Sequence, residues 1–243
     1  AINHFQRAIE LDPKFALARV WLAQTLTWQD TARRNESMAE AQRAIQTVGG
    51  LHPVDSLRAA GILALASDNL ASACAAFRSL VQSDSTDYAA WIGLGDCEAR
   101  DRAVLRSPRS PTGWAFRTSY EDAARAYRRA ARQKPSGSGS EFSGWLLGRL
   151  SRVLYVMSNR VREGRAVDGD TLVLGAFPFL DHDTIGFAPH PSRDFATRRG
   201  DPPQASIQAA VIRNRIVLRN WVEEWVRQAP DDPVAVDSLA AWA

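Results

Sequence analysis

The sequence predicts an all-α chain, a stack of short helical hairpins interrupted by an irregular stretch that is open to β structure. Three observations predict this. A spacing of small, large aromatic, small and helix-start residues recurs at offsets of four, seven and twelve, in Ala1, Phe5, Ala8, Pro13 and again in Ala123, Tyr127, Ala130, Pro135. Leu218, Val222, Trp225 and Pro230 repeat it with bulkier residues, and Ala73, Phe77 and Leu80 repeat its first three places, with Ser85 where Pro would stand. A second pattern, Leu57, Ala60, Gly61, returns one 34-residue step later as Trp91, Leu94, Gly95. Finally, apolar residues keep the helical period through most of the chain.

The elements follow in order. Ala1, Phe5, Ala8 and Ile9 share one helical face, and Val20, Trp21, Leu22, Ala23 and Leu26 share another. Between them, Asp12-Pro13 reads as a helix start, with Asp as N-cap and Pro at the first position, where its missing N–H costs nothing. Residues 28–53 carry a lengthened second helix (Met38, Ala41, Ala44, Ile45, Val48) that ends at Gly49-Gly50, with the next start near His52-Pro53. Helices follow on Leu57–Gly61, on Ala73–Leu80 and on Trp91–Gly95, and a close helix contact is expected at Gly95. An extra segment between Arg100 and Ser119 contains Pro108 and Pro111; a helix returns over 119–135, and another is expected from Phe142 to Val161. The predicted organisation is 1–163 helical repeats with an insertion near 101–118, then 164–203 as an irregular insertion packed on the array, then 204–243 as a resumed, truncated repeat. Leu172, Val173, Leu174, Phe177, Phe179, Ile185 and Phe187 alternate in places, so strands or an ordered loop fit that insertion.

These patterns resemble the tetratricopeptide repeat (TPR), whose period is 34 residues and whose pattern is W-x2-L-G-x2-Y…A-x3-F…P. The match covers somewhat over half of the chain: residues 1–28, 54–98, 119–135 and 212–243. The resemblance implies a TPR-like α-solenoid, in which stacked hairpins create a concave side lined by the first helix of each repeat. Residue 1 falls in the middle of a repeat, and the final DDPVAVDSLAAWA looks like the first helix of a further one, so a fragment of a longer protein is expected.

At 243 residues and 45% apolar, the chain can bury a core without disulfides. No run of about 18 apolar residues is visible for a membrane span. Cys74 and Cys97 lack a CxxC partner or a nearby His, so two small buried thiols and a reducing, cytoplasmic setting are expected rather than a disulfide or metal pair. Charge is uneven. Residues 1–100 hold 9 basic and 11 acidic side chains, residues 101–165 hold 14 and 5, and residues 166–243 hold 7 and 11. The Arg-rich middle block could hold phosphates or an acidic peptide. With no aromatic-interleaved motif beside it, solvated helix faces are the plainer reading and nucleic acid is disfavoured.

The search for chemistry is short. Asp181, His182, Asp183 and His190 fall in a spacing that matches no metal motif, and no GxSxG, P-loop, GxGxxG or HExxH occurs. No cofactor is expected. The expected function is a non-catalytic protein–protein interaction scaffold that binds an extended or helical peptide with apolar anchors and an acidic flank. By the resemblance, the contact residues are Val20, Gln24, Arg58, Ile62, Ile92 and Asp96, extended by Trp145, Arg149 and Arg152. The row lacks the Lys/Asn set of TPR proteins that bind chaperone C-terminal carboxylates; Gln24, Ile62 and Asp96 stand in those places. The Ala/Arg/Trp-rich texture, with FRTSYEDAARAYRRA and AFPFLDHDTIGFAPHP, is also similar to the TPR-bearing C-terminal regions of bacterial serine/threonine protein kinases. That similarity implies the alternative of a regulatory or substrate-recognition region of a multidomain enzyme, with no kinase signature in this stretch itself.

Overall fold

The structure, a computed structural model, describes residues 1–29, 33–47, 50–109, 114–133, 162–166, 173–181 and 184–191, with isolated positions between 146 and 240. The chain is mostly helical and divides into two compact units, Ala1–Arg100 and Asp101–Ala243.

The first unit is six helices: α1 (Ile2–Leu11), α2 (Ala16–Trp28), α3 (Arg34–Gln46), α4 (Pro53–Ala66), α5 (Leu70–Ser83) and α6 (Tyr88–Arg100). Each packs on the next in sequence, and α4 also packs against both α2 and α6. The helix starts have local causes. Pro53 opens α4 with Asp55 in its first turn, where both are favoured by the unpaired N–H groups there. The Asn69 side chain caps α5 by accepting from Ser72 N at 3.3 Å. Asp12-Pro13 behaves differently from the expectation. Asp12 closes α1, its Oδ1 accepts from Lys14 N at 2.9 Å, and α2 begins only at Ala16. An Asp side chain that bonds two residues ahead makes a turn instead of a cap.

Two of the recurring small–aromatic–small sets, Ala73, Phe77, Leu80 and Ala123, Tyr127, Ala130, are core positions, whereas Ala1, Phe5 and Ala8 on α1 are not buried. Ala73, Phe77 and Leu80 on α5 are closed to solvent. Gly61 on α4 and Gly93 on α6 both face the Phe77 ring, and a Cβ at Gly93 would lie 2.5 Å from Phe77 Cζ. The glycine crowded by Phe77 is therefore Gly93, two places before the Gly95 that the sequence points to. Polar side chains tie neighbouring helices: Ser37 Oγ donates to the Ala23 carbonyl at 2.9 Å, Arg19 pairs with Glu40 at 2.8 Å, and Arg78 pairs with Glu98 at 2.6 Å.

Cys74 on α5 and Cys97 on α6 form a disulfide, with Cα atoms 5.5 Å apart. This corrects the expectation of two separate thiols and removes the ground for expecting a reducing compartment. Spacing along the chain does not show which residues face each other once two helices fold antiparallel. The approach of Cys97 Sγ to the Leu94 carbonyl at 3.1 Å is then a contact rather than a hydrogen bond, since a bridged sulfur has no proton to donate.

The second unit opens with Asp101, whose carboxylate accepts from Ala103 N at 2.9 Å and from Arg117 Nε at 2.6 Å. The segment that the sequence sets apart near 101–118 forms β1 (Ala103–Arg106) and β2 (Trp114–Phe116), and α7 (Tyr120–Gln133) follows. Three further strands, β3 (Arg162–Ala166), β4 (Val173–Asp181) and β5 (Thr184–Pro191), complete a sheet of order β2-β1-β3-β4-β5. β1 runs parallel to β3 with Ala103 opposite Arg165; the other neighbours are antiparallel. Two irregular segments far apart in sequence thus share one sheet. Ala123, Tyr127 and Ala130 form the buried side of α7, which lies in this second unit. Among the described residues, no helix is long and apolar enough to cross a membrane.

Candidate functional site

The six expected contact residues of the first unit are not on an open surface. Val20, Gln24, Ile62 and Ile92 are fully buried, and Arg58 and Asp96 nearly so. The physical reason is the packing of α2, α4 and α6. Because α4 packs against both α2 and α6, side chains along the expected row are used in helix–helix contact. They are core, and the assignment of these six as an accessible lining is corrected. Trp145 and Arg152 lie outside the described residues, and Arg149 is half-buried in the second unit.

What surrounds Arg58 is more informative than the row. Its guanidinium sits over the Trp21 ring, 4.9 Å from the centroid, an arrangement in which the ring face attracts the cation. Both its terminal nitrogens meet the Asp87 carboxylate, Nη1 to Oδ1 at 3.4 Å and Nη2 to Oδ2 closer. Asp87 Oδ1 also accepts from Ala90 N at 3.0 Å, so the same carboxylate caps α6. Arg58 of α4 is thus tied to a ring of α2 and to the start of α6. Beside it, Trp28 from α2 meets Tyr88 from α6 at 6.1 Å between ring centroids and 43° between planes. Burial pushes the Tyr88 hydroxyl above its ordinary pKa, and the Asp87 charge adds to this, while the Arg58 charge opposes it. Gln24 Nε2 donates to Thr27 Oγ1 at 3.2 Å, and its buried side-chain Oε1 has no hydrogen-bond partner, nor has Arg58 Nε.

Trp21, Trp28, Asp87 and Tyr88 were missed as site residues by sequence reasoning. Two tryptophans seven places apart on one helix, and an acid followed by an aromatic at a helix start, were the available signals. The arrangement can hold helices together and offer half-buried aromatic edges. Trp21, Trp28 and Tyr88 are each partly exposed.

Elsewhere, Asp68 receives Arg34 at 2.6 Å and also Arg100. The hydrogen bond from Arg34, opposed by a little burial and helped by the Arg100 charge, holds the Asp68 carboxyl below the usual carboxylate range. Among the described residues, no three His, Cys, Asp or Glu side chains gather as metal ligands. Asp181 pairs with Thr184 at one end of the β4–β5 ladder, and His190 lies six residues further along β5, on the order of 20 Å away. His182 and Asp183 lie outside the described residues. No protein-family model matches the chain, and no curated protein matches it.

Proposed function

We propose that the chain is a non-catalytic interaction scaffold of tetratricopeptide type, which captures a peptide segment of a protein partner on the aromatic cluster of its first unit. The observation that carries this reading is a pair of aromatic contacts, Trp21 under the Arg58 guanidinium and Trp28 against Tyr88, from three helices that pack side by side. Partly exposed Trp and Tyr rings next to an Arg are the residue types that dominate protein–protein binding energy. Their support is rigid: Arg58 is held by Asp87 and by the Trp21 ring, so the rings need little ordering when a partner arrives. The 34-residue step and the burial of Ala73, Phe77, Leu80 and of Ala123, Tyr127, Ala130 support the repeat assignment.

The test is selection of a random peptide library on the full chain, followed by affinity measurement of the enriched peptides against Trp21→Ala and Trp28→Ala. A hot-spot ring is worth about 2 kcal/mol, so each variant should weaken binding by about thirtyfold while its melting temperature shows that it is folded. Enriched peptides that bind both folded variants as tightly as the original chain refute the site. A library that yields no enriched peptide refutes the scaffold reading.

A further inference from the structure

In the first unit every arginine is balanced by an acid. All eight arginines of Ala1–Arg100 are held in ion pairs with Asp or Glu. On α7 the pattern changes. Arg125, Arg129 and Arg132 stand at offsets of four and seven along one exposed stripe. Arg125 is paired with Asp122 at 2.7 Å, whereas Arg129 and Arg132 make no ion pair or hydrogen bond among the described residues. The surrounding segment 101–165 holds 14 basic and 5 acidic side chains. Arg128 on the same helix has a partner, and Arg129 and Arg132 are the arginines of α7 left without one among the described residues.

We propose that the outer face of α7 is a docking surface for an acidic helical segment of a partner protein. This surface belongs to the second unit and stands independently of the aromatic cluster in the first. Three features of α7 select the partner. Its apolar side (Ala123, Ala126, Tyr127, Ala130) is already buried, so the helix has no face to sink into a bilayer. Its one ring with a described environment, Tyr127, is 3% exposed, so the stripe offers no platform on which bases of a single strand could stack. The stripe spans about 10 Å at the helical rise, and carboxylates at the same offsets on a facing helix would meet all three guanidiniums.

The test is fluorescence anisotropy of the full chain with a labelled Ala/Glu helical peptide whose glutamates repeat at offsets of four and seven. Binding should be seen at low salt and should weaken as salt rises. Arg129→Glu/Arg132→Glu should lose at least about tenfold in affinity, while Lys14→Glu, a charge reversal at an exposed and unpaired position of the first unit, should not. Melting checks the double variant. If it does not fold, Arg129→Gln/Arg132→Gln is measured in its place, with the same loss expected. No binding by the original chain at low salt overturns the proposal. So does equal binding by the folded double variant, or tighter binding of a short DNA duplex or of anionic vesicles than of the peptide.

Discussion

Adding one methyl group at Gly93 tests the packing of the first unit directly. A Cβ there would lie 2.5 Å from Phe77 Cζ and 2.6 Å from Cδ1, where ordinary contact is 3.4–4 Å, so about 1 Å of movement is required. The ring cannot supply it by turning away. It is fully buried, and its Cζ would also lie 3.3 Å from a Cβ at Gly61, so it is clamped between α4 and α6. Replacing a helical Gly by Ala stabilises the helix by about 1 kcal/mol. Forcing a methyl group into a filled core costs about 1–3 kcal/mol, and the depth of this overlap puts Gly93→Ala at the upper end. The expected net loss is about 1–2 kcal/mol. Gly61→Ala is the matched control. Its Cβ would lie 3.2 Å from Ala76 Cβ and 3.3 Å from Phe77 Cζ, so a few tenths of an ångström suffice and the helix gain offsets the cost. Urea denaturation followed by circular dichroism gives both differences, and amide hydrogen exchange on α5 and α6 reports the same hairpin without assuming one transition for the two units. Phe77→Leu should cost less in the Gly93→Ala background than alone, by at least about 0.5 kcal/mol, because the two sites share one space. Gly93→Ala as stable as Gly61→Ala would refute the clamp.

Three further outcomes are expected. Unfolded without reductant, the chain should show no free thiol to a thiol reagent. Cys74→Ala/Cys97→Ala should lose about 3 kcal/mol through restored chain entropy across the 23-residue separation, and two reactive thiols in the unreduced chain would refute the bridge. Arg58→Met should cost about 3–5 kcal/mol, since it strands the largely buried Asp87 carboxylate, and Asp87→Asn, which keeps a capping oxygen, should cost less; equal melting temperatures for Arg58→Met and the original chain would remove that account. For Asp68, the folded carboxyl titrates below its unfolded value, so its contribution is present above the unfolded pKa and is lost as pH falls through the folded one. Stability against acid below about pH 4 should fall less steeply in Asp68→Asn, which keeps a residue tolerant of the positive φ of 58° at this position; an unchanged acid limb would exclude the Arg34–Asp68–Arg100 link.

Much of the first unit was legible in the sequence because helical period and turn chemistry are local. Ala73, Phe77 and Leu80 announced a core face before any helix was placed against it. The insertions were harder. Alternation in Val173–Phe187 suggested strands, but nothing local tells β1 that its parallel neighbour, β3, begins 59 residues after Ala103. The candidate contact residues of the first unit were read on α2, α4 and α6, and their side chains are buried there. Gln24, Arg58 and Ile92 were chosen by expected repeat position, whereas exposure depends on how closely α2, α4 and α6 approach one another.

By itself, then, the sequence determined the helix pairs, their order, and the small residues that let them come together, because each is set by neighbours within a turn or two along the chain. Only the tertiary structure decided that Cys74 meets Cys97, that Phe77 is held between Gly61 and Gly93, that Arg58 lies over Trp21, and that Trp28 meets Tyr88. Each of these depends on the distance and angle between packed helices, which are fixed by the collective fit of many side chains and are written at no single position.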